Sequence, residues 1–147
     1  MRDIDEISGE VLDVALRLHR DLEPRLLESV YEALLAARLQ DAGLSAERQK
    51  AVAAEFETVR FEAAFRADLL VEDRLLVEVK SVERLLPVHS KQLLTYLRLM
   101  KQPVGLLINF GGATLKEGVR RIVNDYRPSA SPDLSSPRLR VNQSPRS

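Results

Sequence analysis

The sequence predicts a single α/β domain in the order helix, helix, three strands, helix, strand and a short final element. Three observations predict it. Apolar residues recur at helical spacing near the N-terminus and again after Pro87. Two apolar runs, 63–71 and 74–80, are joined by only a few polar residues. A further apolar run, Val104 to Phe110, is bounded by Pro103 and by Gly111-Gly112, the pattern of a buried strand.

Taken in order, Ile7, Val11, Val14 and Leu18 place a first helix near 4–20. Pro24 opens a second helix that runs to the stop signal at Gly43. Its core stripe reads as Leu27, Val30, Leu34 and Ala37, with Tyr31 beside it. Residues 45–55 form a polar-edged strand, and strands at 63–71 and 74–80 make a hairpin. A third helix runs from Pro87 through Met100 with Leu93, Leu97 and Met100 facing inward. The segment 115–125 is read as a short helix or an edge strand. Pro and Ser dominate residues 127–147 and no apolar period survives there, so the domain is assigned to 1–126 and the rest to a disordered tail.

Side-chain parity fixes the hairpin register. A two-residue loop would put Asp68 and Glu78 on opposite faces. A three-residue loop, Glu72-Asp73-Arg74, pairs Val71 with Leu75, Leu69 with Val77 and Ala67 with Val79, which aligns one apolar face. The other face then pairs Asp68 with Glu78 and Arg66 with Lys80. Asp73 can take the left-handed position such a loop often needs. Opposed residues have Cβ atoms about 4.5–5.5 Å apart, so two carboxylates there repel unless a cation lies between them or one is protonated.

Composition narrows the chemistry. The chain has 147 residues, 45% hydrophobic and 30% charged, with no cysteine and only two histidines, His19 and His89. Disulfides, thiol nucleophiles and Cys-ligated zinc are excluded, and a His-rich metal site is not expected. The remaining ligands are carboxylate and carbonyl oxygens, which suit Mg²⁺ or Mn²⁺. No apolar run is long enough for a membrane span and no signal-like segment opens the chain, so a cytoplasmic protein without membrane contact is expected. Net charge is zero, but residues 127–147 carry four arginines against one aspartate, leaving 1–126 at −3. A nucleic-acid partner would have to be met by locally concentrated basic residues.

The polar cluster inside the hairpin carries the functional expectation. Buried charge costs several kcal/mol per ion unless it is paired or holds a metal. A divalent cation held by Asp68 and Glu78 would supply a charge clamp and lower the pKa of a bound water. The backbone carbonyl of Val79 is a further ligand candidate, and Lys80 could orient the attacking water or offset charge on a phosphate. The structural alternative is a cross-strand ion pair of Glu78 or Asp68 with Lys80 or Arg66. Gln92 and Tyr96 are four apart on one helix face; Gln92 could hold a phosphate or a metal-bound water, and Tyr96 could donate to a phosphate oxygen. Glu28, three residues before Tyr31, could be a further acid facing the metal; the alternative is a surface glutamate favoured by the helix dipole. His19 and His89 read as surface or boundary histidines, and Arg48 and Lys50 as solvated strand charges. Gly111-Gly112 lacks the Lys-Ser/Thr of a P-loop.

The element order, with Asp68 on the second strand and Glu78-Val79-Lys80 on the third, resembles the PD-(D/E)XK nuclease superfamily. Gln92-x-x-x-Tyr96 looks like the extra motif of its exonuclease-type branch. More narrowly, the chain resembles the GxxExxY family of small bacterial and archaeal proteins. The matching stretches are Leu26-Leu27-Glu28-Ser29-Val30-Tyr31, Glu47-Arg48-Gln49, Phe65 to Val71, Leu86-Pro87-Val88-His89, Gln92 to Tyr96 and Gly105 to Phe110, within about residues 4–125. Two positions depart from the pattern. Ala67 stands where the superfamily name has Pro, and Arg25 stands where the narrower family has its naming glycine. If that site needs positive φ, Arg costs on the order of 1 kcal/mol relative to Gly.

The resemblance implies a three-layer, restriction-endonuclease-like core with a mixed central sheet of four to five strands and a Mg²⁺ site. It implies metal ligation by Asp68 and Glu78, a catalytic Lys80, and supporting roles for Glu28, Gln92 and Tyr96. The resulting expectation is a Mg²⁺- or Mn²⁺-dependent nuclease acting on DNA. The alternative is a nucleic-acid-binding or protein-interaction module that keeps the fold without turnover. A homodimer using the outer face of the first two helices is a further possibility.

Overall fold

The computed structural model describes residues 2–22 and 25–124. Asp3 begins the first helix by accepting from the Asp5 N–H, while Glu6 reaches back to the Asp3 N–H, so two orphan donors are satisfied reciprocally. That helix, α1, spans Ile4–Asp21. α2 spans Glu28–Asp41, starting later than the Pro24 signal indicates, with residues 25–27 outside the helix. Pro24 itself, the boundary at residue 126 and the expected tail 127–147 lie outside the described residues.

The strands are β1 (Ala46–Phe56), β2 (Val59–Val71) and β3 (Leu75–Lys80). Next come α3 (Pro87–Met100), β4 (Val104–Asn109) and, after a 3₁₀ turn at Lys116–Gly118, β5 (Val119–Val123). β2 starts four residues before the sequence reading placed it, because Phe56 pairs with Val59 across a two-residue turn at Glu57-Thr58, both left-handed. The segment 115–125 combines both expected forms, a short 3₁₀ turn followed by an edge strand.

The sheet order is β1-β2-β3-β4-β5, antiparallel except for the parallel β3–β4 pair that α3 connects. α1 and α2 cover one face around Ile7, Leu18, Leu35, Leu39, Val77 and Leu106. α3 covers the other through Leu93 and Leu97 against Leu76 and Leu107. The result is a three-layer core with a five-stranded mixed sheet, consistent with the restriction-endonuclease-like fold.

One helix face differs from its sequence reading. Leu27, Val30, Leu34 and Ala37 all point outward, with Leu27 73% exposed, and α2 buries Tyr31, Glu32, Leu35, Ala36 and Leu39 instead. Apolar residues run almost round this helix, so periodicity permits two stripes. Packing decides between them: the Tyr31 ring stacks on Phe110 at 4.6 Å, and its hydroxyl accepts from the Leu26 N–H.

Candidate active site

The β2–β3 hairpin has the register that parity selects, with Leu69 opposite Val77, Leu70 opposite Leu76 and Val71 opposite Leu75. Glu72 and Asp73 both take left-handed backbone in the loop. The ladder then stops, and the expected backbone pairing of Asp68 with Glu78, Ala67 with Val79 and Arg66 with Lys80 does not form. Instead the two acids exchange bonds with each other's strand. The Asp68 N–H donates to Glu78 Oε2 at 3.1 Å, and the Val79 N–H donates to Asp68 Oδ2 at 2.8 Å.

This step is also where the strand changes faces. Leu69 and Val71 belong to the α1/α2 side, whereas Ala67, two residues earlier, packs with Leu76 and α3. The uniform face expected for Ala67 and Val79 is therefore broken at Asp68. The neighbouring strand is irregular at the same step, where Gln49 adopts φ 53.

Burial raises the pKa of both carboxyls. Glu78 is 6% exposed, and desolvation with the adjacent Asp68 charge pushes it up to about 8. Asp68, half-buried, is raised by desolvation against the stabilising Val79 N–H bond, and the Glu32 charge adds to the rise. Lys80 opposes both shifts. Among the described residues its ammonium makes no ion pair, and the cross-strand pair weighed as the structural alternative is absent; Arg66 instead donates to the Gln49 carbonyl at 2.9 Å.

The other sequence-selected residues gather to different degrees. Tyr96 stacks on Phe65 with ring centroids 3.9 Å apart, and burial with the charges of Glu78 and Asp68 holds its phenol above the usual range. Gln92, one turn earlier on α3, is exposed and its amide makes no hydrogen bond within the described chain. Glu28 Oε2 accepts from the Ser81 N–H at 3.4 Å, and its charge reaches Asp68. His89 Nδ1 accepts from the Leu86 N–H at 3.0 Å, which leaves the proton of the neutral ring on Nε2. Burial and then Lys80 lower its pKa, against the Glu28 charge.

Two groups near the site escaped the sequence reading. Glu32 is 4% exposed and takes Arg48 Nε at 3.0 Å and Gln49 Nε2 at 2.8 Å. Its signal was available as the i+4 partner of Glu28, but a glutamate beside apolar helix residues reads as surface. Asn109, 3% exposed, lies opposite Lys80 on β4 and clasps the chain leaving β3. Its Oδ1 accepts from the N–H groups of Val82 and Gly111, and its Nδ2 donates to the Val82 carbonyl. Gly111 is required beside it, since a Cβ there would lie 2.4 Å from the Val82 oxygen. An Asn inside the apolar run 104–110 was the available clue.

Two carboxylates bonded to each other's strands form a hard-oxygen donor pair, and their mutual repulsion is the kind a divalent cation relieves. Among the described residues no three His, Cys, Asp or Glu side chains form a complete ligand set. The Asp68–Glu78 oxygen pair itself has the chemistry of a Mg²⁺-type site, in which one or two carboxylates hold an ion that keeps several waters. Among known proteins, the family model described as the PD-(D/E)XK nuclease superfamily matches residues 5–122. No curated protein and no solved structure gives a match.

Proposed function

The chain belongs to the PD-(D/E)XK nuclease superfamily, and from that premise we propose that it is a Mg²⁺- or Mn²⁺-dependent nuclease hydrolysing phosphodiester bonds of DNA. The reading is carried by the opposed carboxylates of Asp68 and Glu78 at the interrupted ladder, with the Lys80 charge acting on both. When bound, a divalent ion supplies charge neutralisation and a water that ionises closer to neutral pH. In this proposal Asp68 and Glu78 hold the ion, with the Val79 carbonyl as a further ligand and Glu28 as a further acid facing it. Lys80 orients the attacking water or stabilises charge on the phosphate. From the α3 side Gln92 holds a phosphate or a metal-bound water, and Tyr96 donates to a phosphate oxygen.

Kinship with the GxxExxY proteins is part of the same proposal, supported by Glu28-x-x-Tyr31 and by Arg25, whose φ of 68 meets the condition set for the glycine position. So are a cytoplasmic location and a homodimer through the outer faces of α1 and α2, where Leu16, Leu27, Val30 and Leu34 are exposed. No helix among the described residues is long and apolar enough to cross a membrane.

The test offers linear duplex, single-stranded and branched DNA, and RNA, to the purified chain with Mg²⁺ or Mn²⁺. Cleavage lost in both Asp68→Ala and Lys80→Ala is the expected result. Cleavage that persists in both variants points to a contaminant and removes the reading. Metal-dependent binding without cleavage supports the alternative of a non-catalytic module.

A further inference from the structure

Glu32 is a buried acid to which the proposed chemistry gives no role. A desolvated carboxylate needs close partners, and Glu32 draws them from two consecutive β1 residues, Arg48 and Gln49. The β1–β2 ladder pairs Arg48 with Leu69 and Lys50 with Ala67 but omits the step between them, where Gln49 faces Asp68. No residue is inserted there. The omission is conformational: Gln49 has φ 53, which side-chain-bearing residues rarely adopt, and Arg66 takes its carbonyl.

Both strands change faces across the stretch that contains this step. On β1, Ala46 packs on the α1/α2 side and Val52 on the α3 side; on β2, Leu69 and Ala67 divide the same way. Across from Gln49, Asp68 has turned its N–H and its carboxylate to Glu78 and Val79 of β3. The residue that leaves the ladder on one strand is thus matched by a left-handed residue on the other. The Gln49 amide is anchored on the buried carboxylate of α2.

We infer that Glu32 is a positioning residue: by holding the Gln49 amide it keeps β1 left-handed opposite Asp68, and so keeps Asp68 turned to Glu78 in the arrangement that binds a divalent cation. The metal clause rests on the function proposed above; the backbone clause does not.

Mn²⁺ titration of the full chain, followed by electron paramagnetic resonance, tests it with paired variants. Gln49→Val and Gln49→Gly both remove the amide, but only glycine accepts positive φ without strain. Gln49→Val weakens Mn²⁺ binding by about tenfold or more, the usual scale for a residue supporting a ligand, while Gln49→Gly keeps wild-type affinity. Glu32→Ala weakens binding similarly, and adding Gln49→Gly to it restores affinity. A role through charge or general stability predicts equal losses in the two Gln49 variants and no restoration, and that result overturns the inference. If Glu32→Ala does not fold, the Gln49 pair still decides. A wild-type chain that takes up no Mn²⁺ overturns the metal reading. Hydrogen exchange of the Val79 amide then judges the positioning claim: slow exchange in wild type and Gln49→Gly with fast exchange in Gln49→Val supports it, and equal exchange in all three overturns it.

Discussion

Glu32 and Glu78 are equally buried, at 4% and 6% exposure, yet they occupy opposite kinds of environment. Glu32 is matched by an arginine and an amide from β1. Glu78 receives a single backbone N–H and faces another acid, and its pKa rises to about 8. Burial alone therefore does not separate a satisfied carboxylate from one with a strongly raised pKa; the partner set does. Asp68 and Glu78 are thus held together with only the Lys80 charge opposing their raised pKa values, an arrangement that a bound divalent cation relieves. The most direct attack on this comparison is to remove one acid from the unpaired site. Asp68→Ala should lower metal-dependent cleavage by roughly a thousandfold while leaving the fold intact, as read by circular dichroism. A variant that cuts at wild-type rate would erase the functional side of the contrast.

The second effect is on stability and has a definite sign. Glu78 titrates near 4.5 when unfolded and near 8 when folded, so between these values the folded chain holds the extra proton. Stability therefore falls as pH rises through that window, by on the order of 5 kcal/mol from this group. Urea unfolding in chelator should show the decline from about pH 4.5 to 8. Glu78→Gln should largely flatten it, leaving the smaller part due to Asp68, and should make the metal-free chain more stable at pH 8. Saturating Mn²⁺ should flatten it in wild type. Rising stability across the window would mean that Glu78 is already compensated, like Glu32.

Glu32→Ala should behave the other way. It removes two bonds to a charged acceptor and costs about 2 kcal/mol, less than a fully buried pair because Arg48 is 43% exposed. Glu32→Gln, which can still accept from Gln49, should cost less. The denaturation midpoints of the two variants give the measurement, and a Glu32→Ala chain as stable as wild type would remove the satisfied half of the comparison.

The contrast also explains what could be read in advance. The hairpin register was legible because a one-residue slip would have exposed Leu69, Val71, Leu75 and Val77 together. The meeting of Asp68 and Glu78 followed from that register. The ladder's interruption was not legible, because it depends on Gln49, and Gln carries no sequence signal for positive φ. Glu32 was hidden for a related reason. Its burial follows from the rotation of α2, and the apolar run 33–37 leaves that rotation undecided until Tyr31 meets Phe110. Local patterns thus located the acids, while long-range packing determined which of them acquired partners.

The smallest predicted effect isolates strain from both acid sites. Arg25 holds φ 68 just before α2, where an L side chain costs about 1 kcal/mol relative to glycine. The segment it enters is tied to the residue that follows β3: the Leu26 carbonyl accepts from Ser81 Oγ at 2.6 Å, and Glu28 accepts from the Ser81 N–H. If these bonds fix the segment and Arg25 merely tolerates the conformation, Arg25→Gly should stabilise the chain. The gain should stay below about 1 kcal/mol, since glycine also loses more freedom on folding. Cleavage and the Mn²⁺ affinity should then stay at wild-type values, because neither acid changes its partners. The measurement is the urea midpoint at unchanged slope. A gain in stability with a loss of metal affinity would show that the strained backbone helps place Glu28, and the division between matched and unmatched acids would have to include α2's first turn.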